Sequence, residues 1–166
     1  DVCGHRLGQA LEAHLSALPL AQDPGAKAIG VKISGCPNSC GQHHIADIGF
    51  YGSSRKVGER EVPHYVLLLG GRTREGEARF GQVVGRIPAR RVPEAVERIL
   101  KRYLEERQNG ESFQAYLDRV GAASFKPLLQ DLQEVPPYEE APEFYQDLGA
   151  EGEAFSVQLG RGECAV

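Results

Sequence analysis

The apolar alternation of Ile29, Val31 and Ile33 against Lys32 runs without a linker into Gly35-Cys36-Pro37-Asn38-Ser39-Cys40-Gly41, and this junction constrains the chain more than any other stretch. A half-buried strand from Lys27 to Ser34 delivers two cysteines at its end. If the chain turns helical there, thiols four residues apart share one face, with β-carbons about 5–6 Å apart. That span suits two corners of an iron–sulfur cube or two ligands of one zinc ion. Pro37 sets the backbone angle, and Gly35 and Gly41 let main chain approach a bulky group. A helix N-terminus at this point would also offer N–H donors to cofactor sulfurs. Cysteines are equally among the most buried residue types, so a purely structural pair stays open. His43 and His44 follow closely, which keeps a zinc site and a non-catalytic zinc-binding α/β interaction module as the alternative function.

Four cysteines among 166 residues, with no secretory signal, favour metal or redox use over a disulfide framework. Cys164, remote from the others, reads as an exposed free thiol. The net charge of −4 supplies no basic field for a nucleic-acid backbone. The longest apolar run, Tyr65 to Leu69, is far short of the ~20 residues of a membrane span. Neither nucleic acid nor membrane is expected as a partner, and a cytoplasmic location is expected. The chain contains no methionine and its first cysteine stands at position 3, so it reads as part of a longer protein.

Leu7, Ala10, Leu11, Leu15 and Leu18 predict an amphipathic helix over residues 5–18. Gln22 to Gly25 reads as a loop, Ile45 to Phe50 as a second strand, and Gly52 to Val62, rich in Gly, Ser and charge, as another loop. Tyr65 to Leu69 reads as a strand covered on both faces and ended by Gly70 and Gly71. Arg79 to Ile87 adds a further strand. Pro93, Glu94 and the stripe Val96, Ile99, Leu100, Tyr103 and Leu104 predict a helix over 93–107. Ser112 and Ser124 each cap one more helix, the first stopped by Gly121. The expected fold is α/β (α+β), a small mixed and partly antiparallel sheet covered by helices. Residues 1–134 form its one domain and 135–166 an extended, acidic, proline-rich tail.

Val31 to Gly52, V-K-I-S-G-C-P-N-S-C-G-Q-H-H-I-A-D-I-G-F-Y-G, resembles the signature of the sirohaem-dependent nitrite and sulfite reductases. Tyr65 to Gly71, Gly85 to Pro88 (G-R-I-P) and the helix leading to Glu106, Arg107, Gly110 and Phe113 are similar to the segments that follow in that family. The resemblance implies a 4Fe–4S cluster coupled to sirohaem, held by two cysteines five residues apart and two three residues apart. Cys36 and Cys40 match the second pair, and Cys40 would also bind the sirohaem iron. Cys3 matches the second member of the first pair, whose partner would fall six residues earlier, before Asp1. The implied chain is the C-terminal half of an enzyme that reduces sulfite to sulfide or nitrite to ammonia by six electrons. Its partners would be the N-terminal half, ferredoxin or a similar donor, and sulfite or nitrite. Asn38 and Gln42 would hydrogen-bond the macrocycle or cluster sulfurs. Arg55, Lys56, Arg72, Arg79 and Arg86 are candidates for the sirohaem carboxylates. No catalytic residue is assigned, because in this family the anion pocket comes chiefly from the upstream half. Three of four cluster ligands leave one iron open, so the isolated chain is expected to be inactive and to lack both cofactors.

Overall fold

The computed structural model describes residues 3–74, 76–150 and 152–157, with the side chain of Cys3 excluded; Cys164 lies outside the described residues. Helix α1 (Cys3–Ser16) matches the predicted stripe, with Leu7 and Leu11 buried, and packs on the sheet and on the long helix α3 (Val92–Glu106). His14 Nε2 meets Glu97 Oε2 across that helix pair at 2.7 Å. The predicted Gln22–Gly25 loop is instead a 3₁₀ turn (Pro19–Gln22) followed by the single-turn helix α2 (Pro24–Lys27). Asp23 makes that helix possible by accepting the Gly25 N–H at 2.7 Å. It takes Lys27, the first residue of the expected strand, and residues 28–30 lead out of it, so β1 is only Val31–Ser34.

The main sheet has the order β1-β2-β3-β6, with β2 at Ile48–Val57, β3 at Arg60–Leu69 and β6 at Gln82–Pro88. β1 runs parallel to β2, and the other neighbours are antiparallel, which is the mixed sheet expected. The predicted 52–62 loop is overturned: those residues form a long hairpin, paired from Ile48↔Leu69 out to Val57↔Arg60. On the β2 side, Gly52 to Lys56 carries no apolar side chain on either face, which erases the alternation that marks a strand, and Gly58 at φ +61° makes the two-residue turn. The strand predicted over 79–87 breaks at Phe80 and Gly81. Its first part belongs to a separate ribbon, β4 (Arg72–Arg74) with β5 (Glu77–Arg79).

One sheet face meets the helices through Ile48, Phe50, Tyr65, Leu67, Leu69 and Ile87. Helix α3 supplies Val96, Ile99, Leu100 and Tyr103, each contributing about 1.5–3 kcal/mol by burial. Ser112 caps α4 (Phe113–Val120) as predicted, accepting the Ala115 N–H, and Gly121 ends it at φ +79°. Ser124 caps nothing. Its hydroxyl turns back to the Gly121 carbonyl at 2.8 Å, and the following stretch is broken into 3₁₀ turns around the short α5 (Lys126–Leu129). The tail is extended only in part. A 3₁₀ turn at Pro142–Tyr145 interrupts it, and Ala141, Tyr145 and Leu148 are buried. No helix among the described residues is long and apolar enough to cross a membrane.

Candidate functional site

Parallel neighbours need a crossover of about a dozen residues or more, usually a helix. Here the crossover from β1 to β2 is residues 35–47, and the cysteine loop occupies it. The expected helical turn after Ser34 is absent. Ser39 (φ 63°) and Gln42 (φ 56°) both adopt the left-handed region, which breaks any α-helical run and removes the helix N-terminus as a source of donors. The Gln42 N–H donates to the Ser39 carbonyl at 2.7 Å, and Lys32 Nζ donates to Gln42 Oε1 at 2.9 Å. Non-glycine residues are held in such conformations only where the surroundings over-determine them, a pattern that clusters at functional sites. Cys36 is half-buried and Cys40 exposed, with Asn38 exposed between them.

The loop is fastened to the sheet by backbone contacts that tolerate no side chain. A β-carbon on Gly52 would stand 2.1 Å from the Gly35 carbonyl oxygen, and one on Gly41 2.2 Å from that of Ile33. Ser34, the last residue of β1, accepts the Gly41 N–H at 3.1 Å and shares a 2.7 Å hydrogen bond with His43 Nδ1. At the far end, Asp47 joins three elements. Its carboxylate accepts from the Gly30 N–H and from Gln114 Nε2 of α4, and its carbonyl accepts from the Gly70 N–H. The His44 carbonyl accepts the Gly81 N–H at 2.7 Å. Ser34, Asp47 and Gln114 were not singled out from sequence. Asp47 lies inside the D-I-G-F stretch, whereas nothing local marks Ser34 or Gln114.

The zinc reading required Cys36, Cys40, His43 and His44 to converge. Among the described residues, no three His, Cys, Asp or Glu side chains stand where they could hold a metal ion. His43 is fully buried with Nδ1 committed to Ser34, and its ring packs 4.8 Å from that of Tyr51. Burial, then the neighbouring His44, holds its pKa below the ordinary value of 6.5. His44 packs instead on Phe80, ring centroids 5.3 Å apart.

The five candidate basic residues divide. Arg72 binds Asp118 through both terminal nitrogens at 3.0 Å and Glu77 through Nε at 3.0 Å. Arg79 donates to Asp118 at 2.7 Å and to the Gly70 carbonyl at 2.9 Å. Both tie the β4–β5 ribbon to α4 through Asp118. Arg55, Lys56 and Arg86 have no carboxylate within ion-pair distance among the described residues. Arg55 and Arg86 lie on the sheet face away from the helices, in register with Val62 and Val66 on either side of His64. His64 Nε2 and the cross-strand Ser53 Oγ are buried without a hydrogen-bond partner. Burial, opposed by the Val62 carbonyl and aided by the two arginines, lowers the His64 pKa.

The first turn of α1 comes to the same loop. A β-carbon on Gly4, the residue after Cys3, would lie 3.3 Å from Ile33 Cγ2 and 3.5 Å from the Gly35 amide nitrogen.

The family model described as the nitrite and sulphite reductase 4Fe-4S domain matches residues 26–135. The ferredoxin sulfite reductase 1 of Mycolicibacterium paratuberculosis is 33% identical over 95 residues, covering 55% of this chain and 17% of that protein. The NADPH sulfite reductase hemoprotein beta-component of Chromohalobacter salexigens is 32% identical over 111 residues, covering 67% and 17%. The structure of the Mycobacterium tuberculosis NirA protein superposes with a TM-score of 0.58 at 30% identity, over 72% of this chain and 22% of that one. The chain thus spans less than a quarter of the length of these relatives.

Proposed function

The chain belongs to the nitrite and sulphite reductase 4Fe-4S domain family, and we propose that Cys3, Cys36 and Cys40 hold three irons of a 4Fe–4S cluster within a longer enzyme that reduces sulfite or nitrite by six electrons. The observation that carries this reading is the meeting of two elements. The strained, non-helical cysteine loop fills a parallel crossover, and the Cys3-bearing turn of α1 abuts its first residue, Gly35. A rigid loop that presents one half-buried and one exposed cysteine, with main chain closed behind it, suits an inorganic core docked on its outer side.

When bound, the cluster and sirohaem would relay electrons, one at a time, from an external donor to the anion. This chain's residues ligate, position and neutralise. Cys40, the more exposed of the two cysteines, would also bind the sirohaem iron. Asn38 is exposed beside it, and Gln42, its carbonyl occupied by Lys32, keeps its amide N–H₂ as a donor. Arg55, Lys56 and Arg86 are the cations left for tetrapyrrole carboxylates, because Arg72 and Arg79 already serve Asp118. The rest of the enzyme would close the cavity and bring the anion pocket, and a cysteine six residues before Cys3 would complete the cluster. The names of the relatives favour sulfite over nitrite, and one of them favours ferredoxin as donor. Residues 135–166 are read as an appendage of the same domain.

The deciding measurement is iron, acid-labile sulfide and zinc content of the protein prepared anaerobically with the rest of the enzyme. About five irons, four from the cluster and one from the sirohaem, and four sulfides per chain are expected, the cluster's share lost on Cys36→Ser or Cys40→Ser. Stoichiometric zinc with no labile sulfide would overturn the reading in favour of the interaction module.

A further inference from the structure

We propose that residues 136–149 are a strap that fixes the Cys3-bearing turn of α1, with Arg6 as its positioning residue. The chain does not leave the body after α5, because four arginines from three places in the fold hold it down. Arg91 Nη1 donates to the carbonyls of Asp131 and Glu134, both at 3.0 Å. The Arg60 guanidinium lies 3.7 Å above the Tyr138 ring, and Arg90 Nε donates to the Glu143 carbonyl at 2.9 Å. Arg6 Nη1 donates to the Leu148 carbonyl at 3.2 Å. Between these points Tyr145 closes the segment on itself, its hydroxyl donating to the Pro136 carbonyl at 2.9 Å. Leu148 enters the same core cluster as Leu7 of α1.

The end of the strap is shaped for Arg6. Gly149 adopts φ +72°, and a β-carbon on it would meet Arg6 Cδ at 3.2 Å, so a glycine lets the backbone lie along the arginine stem. The turn that Arg6 belongs to needs such support. A helix start has four N–H groups without intrahelical partners and frays readily, and α1 carries no acidic residue in its first turn to offset this. Among the described residues, the strap at Arg6 and the cysteine loop at Gly4 both hold this turn. That the turn matters to a cofactor rests on the function proposed above; that the strap holds it does not.

The test uses this chain without added metal, with Cys40 and Cys164 replaced by serine. Two readouts are followed: crosslinking of Cys3 to Cys36 by a short bis-maleimide, and hydrogen exchange at Leu7 and Gly8, whose N–H groups close onto the first turn. Arg6→Ala and Gly149→Val are each expected to cut the crosslinking rate by about threefold or more and to speed exchange at Leu7 and Gly8 by about tenfold, with Ile99 unchanged. Arg6→Lys, which can still reach the Leu148 carbonyl, should restore both. Unchanged rates in both variants would overturn the strap, as would equal acceleration at Ile99, which signals global loosening. If the unsubstituted chain forms no Cys3–Cys36 crosslink, the ligand assignment of Cys3 falls, and the exchange readout alone still decides the strap.

Discussion

The α-carbon of Gly4 sits against the peptide of Gly35, close enough that a β-carbon on Gly4 would stand 3.5 Å from the Gly35 nitrogen. Two cysteine-bearing segments separated by thirty residues of sequence therefore share one contact, each cysteine being the chain neighbour of one of the two glycines.

Gly52→Ala should damage the loop more than a surface substitution does. The added carbon would lie 2.1 Å from the Gly35 carbonyl, where backbone must move, and overpacking of this kind costs about 1–3 kcal/mol. Urea denaturation is the check. Gly110→Ala, where a β-carbon meets no neighbour and only the φ of +74° is strained, should cost less.

Stability should fall between pH 7 and 5. His43 and His64 are both held below their ordinary pKa of 6.5, chiefly by burial. The unfolded chain thus takes up protons that the folded chain refuses. The contribution is complete above pH 6.5 and declines as pH drops through it, by at most about 1.4 kcal/mol per pH unit for each histidine. The depressed carboxylates, such as Glu111, lowered to about 2 by Arg119, lose their contribution only below their ordinary value of 4.5, outside this window. Thermal melts of His64→Gln should show a shallower decline between pH 6.5 and 5 than the unsubstituted protein, and an identical slope would contradict the buried neutral state.

The two classes of arginine should separate by assay. Arg72→Ala is expected to lower the urea midpoint, because it leaves Asp118 and Glu77 without their shared cation. Arg55→Ala and Arg86→Ala should leave the midpoint within about 0.5 kcal/mol of the parent, as surface changes do. In the intact enzyme the same two changes should lower sirohaem content, read by the Soret band. Full retention of tetrapyrrole in the double variant would remove both from the proposed cavity.

The chain as it stands, carrying three of the four proposed ligands, is expected to purify colourless and to melt cooperatively. A Soret band with about five irons per chain would show that the rest of the enzyme is not needed to retain the cofactors.

The cysteine spacing, the proline-led helix near 93, the serine-capped helix at 113 and the doubly buried run from Tyr65 were legible because each is a local property. A periodicity, a cap or a motif is written in adjacent residues. The outer part of β2 was not, since a stretch with no apolar side chain on either face carries no period and gains its order from pairing with its neighbour. The division of the arginines was equally hidden: Arg72 and Arg86 look alike in sequence, and only the position of Asp118 on α4 commits one of them. Tertiary structure likewise decided that the cysteine loop is an irregular crossover with Ser39 and Gln42 in left-handed conformations rather than a helix, because Ser34, Gly52 and Lys32 on the sheet hold Gly41, Gly35 and Gln42 in place. What the sequence determined by itself was which cysteines are available and at what spacing. Their presentation depends on contacts between segments far apart in the chain, and no local pattern encodes those.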